Sequence, residues 1–62
     1  MELYINLLHV IKFKTLYDNN KYLKQYLTPD PFSTSLWFLE EGINKRELEY
    51  ILVKNKIKYK LQ

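Results

Sequence analysis

The absence of cysteine from a chain of 62 residues is the feature that most constrains its fold. A domain of this length buries only about 60% of the surface that its unfolded chain exposes, so burial barely offsets the conformational entropy lost on folding. Small domains usually add a staple, but neither a disulfide nor a thiolate metal site is available here. The fold therefore depends on an efficient core, on a partner protein, or on self-association.

The composition can supply such a core. Hydrophobic residues make up 47% of the chain and aromatic residues 16%, which is too apolar for a disordered segment. One glycine and two prolines provide few tight turns, so an all-β fold with many such turns is not expected. These features predict a single, mostly α-helical domain over residues 1–62. We expect a bundle of three to four short helices, with short strands at the termini as an alternative.

Residues 3–17 are compatible with two secondary structures. On a helix, the main apolar half of this segment includes Leu7, Leu8 and Ile11, while as a strand its odd-numbered positions are mostly apolar. Periodicity alone does not decide between them, but the length favours a helix, since strands are usually shorter. A strand within residues 2–14 remains the alternative. It would pair with residues 56–62 and give a small α+β unit.

Turn residues predict two further helices in the middle of the chain. Residues 21–27 have apolar side chains at helical spacing, and Asn19 or Asn20 can cap that helix. The proline-containing segment 28–31 ends it. Residues 35–41 are read as a short apolar helix, and Gly42 is its C-terminal glycine.

The fourth predicted helix begins at Asn44. Glu47 follows three residues later, which gives a variant of the capping box. Leu48, Ile51 and Leu52 follow at the spacing of an inward-facing helical stripe. The sequence therefore predicts two packed helices with a tight corner at residues 35–56.

The chain lacks the convergent groups that an enzyme needs. Its one histidine, His9, lies in an apolar segment, where we interpret it as structural. Glu40 and Glu41 are adjacent, so on a helix they point about 100° apart. The single glycine rules out a glycine-rich phosphate loop, and no metal-ligand spacing recurs. We expect no catalytic residue, no metal, no cofactor and no small-molecule substrate.

The sequence also predicts a location. The longest apolar run, residues 3–13, includes Asn6 and His9 and is shorter than the ~20 residues that a membrane span requires. No basic segment followed by a small-residue cleavage site marks a signal peptide. We therefore expect a cytoplasmic protein without a membrane partner. The abundance of Lys, Asn, Ile and Tyr is typical of an AT-rich genome, such as that of a low-GC bacterium or a phage.

Residues 35–56 resemble a helix-turn-helix motif when Gly42 is aligned with its turn glycine. Trp37 and Ile43 bracket the turn, and the apolar residues of the second helix have the required spacing. Phe38 and Glu41 depart from the pattern, which has a small and an apolar residue at these places. The resemblance implies a DNA-binding regulator, monomeric or dimeric, and the formal charge of +3 permits it. The second helix would contact DNA near its N-terminal end, where the candidates are Asn44, Lys45, Arg46, Glu49 and Tyr50.

Two apolar stripes favour a protein partner instead. The inward face of the fourth helix is formed by Leu48, Ile51, Leu52 and Asn55. A second stripe lies beside this face. The first helix carries apolar residues behind its main apolar half. One small core does not easily hide both stripes, and exposed apolar patches mark interaction sites. We therefore predict a non-enzymatic interaction module, such as an adaptor, inhibitor or regulatory subunit, that binds another protein or a second copy. The predicted contact residues are Ile5, Phe13, Leu16, Arg46, Tyr50, Val53 and Ile57.

Overall fold

An antiparallel sheet organises the structure, a computed structural model that describes residues 1–62. Its strands are β1 (Glu2–Ile5), β2 (Leu27–Pro29), β3 (Leu36–Leu39) and β4 (Tyr59–Leu61). Their order across the sheet is β2-β3-β1-β4. The first strand of the chain therefore pairs with β3 on one side and with the last strand, β4, on the other.

Three helices complete the fold: α1 (Val10–Asp18), α2 (Lys21–Tyr26) and α3 (Lys45–Lys54). A 3₁₀ turn over Leu7–His9 leads directly into α1. No helix of the structure combines the length and the apolar character that crossing a membrane would require. With a four-stranded sheet beside these helices, the predicted mostly α-helical bundle is wrong, and the protein is a small α/β domain.

The predicted cap at Asn44 is present, and Asn20 is the one of the two candidates, Asn19 and Asn20, that caps the second helix. The Asn20 side chain accepts a hydrogen bond from the Leu23 N–H, and the Asn44 side chain accepts one from the Glu47 N–H. Each cap satisfies one of the N–H groups that a helix start leaves without a partner. Local sequence therefore determines where α2 and α3 begin.

The predicted helix over residues 35–41 is wrong, because this segment contains β3. Burial alternates along the strand, with Trp37 buried and Phe38 exposed. A short apolar run carries no measurable period of its own, and pairing with β1 and β2 on its two sides decides its conformation. The helix-turn-helix-like corner at 35–56 is consequently absent, since α3 follows a strand.

The N-terminal segment contains both of the structures between which the sequence leaves a choice. Residues 2–5 form β1, and the helical part begins after Asn6, whose side chain accepts a hydrogen bond from the Leu8 N–H. Pairing of this strand with the end of the chain joins Leu3 to Leu61. The paired ranges are shorter than residues 2–14 and 56–62.

The core lies on one face of the sheet, against the helices. Every buried sheet residue has an odd number, as do Leu3 and Ile5 on β1, because side chains alternate between the two faces of a strand. The even-numbered positions face the other way, and none of them is buried. The core consists of Leu3, Ile5, Phe13, Leu23, Leu27, Trp37, Leu48, Ile51, Leu52 and Ile57.

Candidate interaction surfaces

Four large apolar side chains are almost completely exposed around the start of α1 and the β2–β3 loop. Leu7 is 78% exposed, Leu8 91%, Ile11 84% and Phe32 95%. Leu7 and Leu8 lie in the 3₁₀ turn that leads into α1, and Ile11 follows in the first turn of that helix. We refer to these four residues as the apolar rim.

A groove of about 320 Å³ lies between α1 and the β2–β3 loop. Val10 and Lys14 line it from α1, residues 29–34 line it from the loop, and Trp37 also contributes. Lys14 follows Ile11 by three positions on α1, so Ile11 borders the groove. Phe32 belongs to both features. The rim and the groove therefore form one surface.

Local hydrogen bonds hold the loop that carries Phe32. The Asp30 carboxylate accepts a hydrogen bond from the Phe32 N–H at 3.0 Å, a turn that Asp forms readily with the backbone two residues on. The Asp30 N–H donates to the Leu36 carbonyl at 3.0 Å, which ties the loop to β3. The loop backbone is thus fixed, while the Phe32 ring stays in solvent.

Trp37 lines the groove and also belongs to the core. Its ring lies 4.9 Å from that of Phe13 and 4.6 Å from that of Tyr17, measured between centroids. Its indole Nε1 is a buried donor without a hydrogen-bond partner, whereas buried polar side-chain groups usually have one. The chain has one tryptophan, so its fluorescence reports on this part of the molecule.

The structure divides the predicted partner-binding residues. Arg46, Tyr50 and Val53 lie exposed on α3, at positions that share one side of a helix. Leu16 is partly buried against the core. Three other predicted contact residues are wrong as members of an exposed apolar stripe, because their side chains are buried in the core: Ile5, Phe13 and Ile57.

Ile57 leaves the exposed stripe because α3 ends before it. Lys56 has a left-handed backbone, with φ 57°. The Lys56 N–H donates to the Val53 carbonyl, and the Ile57 N–H donates to the Leu52 carbonyl. This is the hydrogen-bond pattern of a Schellman motif. It redirects the chain so that Ile57 enters the core.

The residues that define the apolar rim are not the ones that the sequence singles out. The sequence places Leu7, Leu8 and Ile11 on the main apolar half of the first helix and Phe13 behind it, whereas the structure exposes the first three and buries Phe13. Apolar residues surround this segment, so its pattern does not indicate which side faces inward. Phe32 stands alone in a polar, proline-rich loop, and that isolation is the one available signal.

The predicted DNA-contacting residues are no longer arranged as a reading helix. The Asn44 side chain caps α3, and its backbone N–H donates to the Tyr22 hydroxyl at 2.9 Å. The Glu49 carboxylate accepts a hydrogen bond from the Tyr59 hydroxyl at 2.8 Å. Lys45 and Arg46 are exposed, but no helix precedes them in a helix-turn-helix geometry. DNA binding stays a prediction, without the motif that suggested it.

The one histidine of the chain makes a structural hydrogen bond. His9 accepts a hydrogen bond at Nδ1 from the Lys58 N–H at 2.9 Å, which joins the start of α1 to the segment before β4. No group of three or more His, Asp and Glu side chains that could hold a metal ion is present. Comparison of the chain with protein-family models, with curated proteins and with solved structures finds no match. The exposed surfaces are therefore the features of the molecule that bear on its function.

Proposed function

We propose that this protein is a small, non-enzymatic interaction module that docks on another protein through the apolar rim and the adjoining groove. The observation that carries the proposal is the exposure of Leu7, Leu8, Ile11 and Phe32, which ranges from 78% to 95%. Single exposed apolar residues are ordinary, but contiguous ones beside a groove mark interaction sites. A cytoplasmic location, expected from the sequence, is part of the proposal.

The energetics of burial support docking here. Full burial of a Leu, Ile or Phe side chain contributes about 1.5–3 kcal/mol relative to exposure, so the four side chains of the rim contribute about 6–12 kcal/mol when covered. Association itself costs on the order of 4–15 kcal/mol. Burial of the rim is therefore comparable in size to the cost of association, and the fit of the partner in the groove decides the net affinity.

The exposed part of α3 offers a second contact. Arg46, Tyr50 and Val53 combine residue types that interfaces favour with an exposed aliphatic side chain. Lys54 lies over the Tyr50 ring, with its Nζ 5.8 Å from the ring centroid. A regulatory subunit or inhibitor that wraps around its target could use both surfaces. The DNA-binding alternative has no comparable support, because its motif required the helix that β3 replaces.

The proposal is tested by placing a charge on the rim. Ile11→Lys removes an exposed apolar side chain and adds a cation that a partner would have to desolvate. Gln25→Lys on α2 is the matched control, because it adds the same charge at an exposed position outside the rim. The tagged proteins are purified from the cells that produce them, and co-purifying proteins are quantified by mass spectrometry. We expect one stoichiometric partner with the wild type and Gln25→Lys, and its loss with Ile11→Lys.

Two further measurements separate the outcomes. The recovered partner, added to the purified protein, should change the Trp37 emission, since this residue lines the groove. Sedimentation over a range of concentrations shows whether the occupant is a second copy, which would appear as a dimer that Ile11→Lys disrupts. If neither a partner nor a dimer depends on Ile11, the proposal fails.

A further inference from the structure

The two edges of the sheet differ in what they leave available. At the β2 edge, the Leu27 N–H donates to the Leu23 carbonyl, and the Leu27 carbonyl accepts a hydrogen bond from the Tyr17 hydroxyl at 3.3 Å. Pro29, the other outward residue of this strand, has no N–H. The β2 edge therefore cannot receive a further strand through these groups.

The β4 edge is open. Glu2 and Gln62 exchange two backbone hydrogen bonds, of 2.7 and 2.9 Å, so even-numbered β4 residues direct their N–H and C=O groups to β1. Tyr59 and Leu61 therefore direct theirs away from the sheet. No side chain or loop bonds to these four groups. An edge of this kind is a template for strand addition.

The surface along this edge is basic. A groove of about 570 Å³ runs beside β4 and is lined by Tyr4, Ile5, Asn6, Lys58, Tyr59, Lys60 and Gln62. No Asp or Glu side chain lines it. The nearest one on the same face of β1, that of Glu2, accepts a hydrogen bond from the Tyr4 hydroxyl at 2.9 Å. Lys58 and Lys60 are exposed, and an added strand would place its side chains directly beside them.

A second copy of this chain does not suit the edge. Two β4 strands that use all four free groups pair Tyr59 of each copy with Leu61 of the other, which sets Lys60 opposite Lys60. Like charges directly opposite each other on paired strands are destabilising, and lysine on an edge strand commonly prevents such pairing. The same lysines attract carboxylates.

We propose that the β4 edge binds an extended acidic segment of a partner protein, which adds to the sheet as a fifth strand. The N–H and C=O groups of Tyr59 and Leu61 supply the backbone hydrogen bonds. Lys58 and Lys60 select glutamate or aspartate at alternate positions of the segment, which face the same side of the sheet. No residue lines both this groove and the groove beside the apolar rim, so either proposal can fail without the other.

The test uses a fluorescein-labelled peptide in which glutamate alternates with valine, and its binding to the full chain is followed by fluorescence anisotropy. Leu61→Pro removes one free-edge N–H without removing a bond to β1, and Leu61→Val is the matched control that keeps the N–H. We expect Leu61→Pro to weaken binding about tenfold, the effect of losing one such hydrogen bond. Leu61→Val should bind as the wild type does.

Two further arms hold even if Leu61→Pro does not fold. A peptide of the same sequence with N-methylated backbone amides keeps its charge but loses its donors, and it should not bind. The double variant Lys58→Glu, Lys60→Glu should reverse the preference toward a peptide in which lysine alternates with valine. Binding of the N-methylated peptide as tightly as the parent, or no binding of the acidic peptide at all, would overturn the proposal. So would a dimer of the wild type that Leu61→Pro dissociates.

Discussion

At the scale of single residues, two positions of the chain have a left-handed backbone, Gly42 and Lys56. Gly42 has φ 89° in the loop between β3 and α3, so the one glycine supplies a left-handed turn residue, as expected, but after a strand and not after a helix. Lys56 adopts φ 57°, a conformation that side chains disfavour. The left-handed conformation can be predicted from the sequence at Gly42, because glycine favours it. It cannot be predicted at Lys56.

Tyr59 links β4 to α3 through one side-chain hydrogen bond. Burial raises the pKa of the Tyr59 phenol above its usual value, and the hydrogen bond to the Glu49 carboxylate and the charge of that group raise it further. The pKa of Tyr4 is raised as well, chiefly by the hydrogen bond that its hydroxyl donates to Glu2. Both phenols are therefore held in the protonated form by the folded state.

We expect the free energy of unfolding to fall as the pH rises above about 10. A raised pKa in the folded state means that folding stabilises the proton, so this contribution is complete below the unfolded pKa and is lost as the pH passes through the folded pKa. Urea denaturation of the wild type and of Tyr59→Phe, from neutral to alkaline pH, measures it. The variant should lose less stability than the wild type, and equal losses would contradict the assigned cause. Tyr4 leaves a residual dependence in the variant.

At the scale of elements, α3 shows how a helix end overrides helical periodicity. On a continuous helix, Val53 and Ile57 would share one side, because they are four residues apart. The Schellman motif at Lys56 ends the helix between them. Val53 stays 65% exposed, while Ile57 is 4% exposed. A lysine at this position does not predict a helix end, since glycine is the usual residue there.

Substitution of these two residues by glutamate distinguishes the two environments. Val53→Glu should change the free energy of unfolding by no more than about 0.5 kcal/mol, as exposed substitutions usually do. Ile57→Glu should cost about 3 kcal/mol or more, because it buries an unpaired carboxyl group. Chemical denaturation followed by circular dichroism measures both. Similar effects of the two substitutions would mean that Ile57 is on the surface.

The starts of the capped helices depend on neighbouring residues, whereas the strands depend on residues far away in the sequence. α2 and α3 begin at Asn20 and Asn44, whose side chains bond within the first turn, and both starts can be predicted from the sequence. β3 has no such local determinant. Its residues become a strand because β1 and β2 lie on its two sides, and those neighbours come from distant parts of the chain.

At the scale of the whole molecule, the position of β1 makes the fold depend on contacts between distant residues. β1 begins at Glu2 and lies between β3 and β4. The sheet is therefore complete only when β4, from residues 59–61, pairs with β1. Leu3 opposes both Trp37 and Leu61. Neither the first half nor the second half of the chain contains all the strands of the sheet.

Truncation of a leucine in the sheet should lower the free energy of unfolding much more than truncation of a leucine in the rim. Leu3 is completely buried and Leu7 is 78% exposed. Leu3→Ala should cost about 2–5 kcal/mol through lost burial and a cavity, which is much of the stability of a small domain. Leu7→Ala should stay within about 0.5 kcal/mol of the wild type. Thermal unfolding of both variants tests this, and a stable Leu3→Ala protein would contradict the central position of β1.

The candidate surface was the least predictable part of the molecule. Arg46, Tyr50 and Val53 are exposed, as their stripe on α3 indicates. Ile5 and Phe13 are buried, while Leu8 and Ile11 of the same segment are exposed. Apolar residues on every side of a segment do not specify which side faces the core. That choice depends on where β1 ends and on how the following helix is rotated.

The sequence by itself determined the caps of α2 and α3, the left-handed turn at Gly42 and the inward stripe of Leu48, Ile51 and Leu52, because each depends on residues within a turn or two of the chain. Only the tertiary structure decided that residues 36–39 are a strand, that Ile57 is buried and that Phe32 is part of the exposed rim. These outcomes depend on pairing and packing between segments far apart in sequence. No local pattern carries that information.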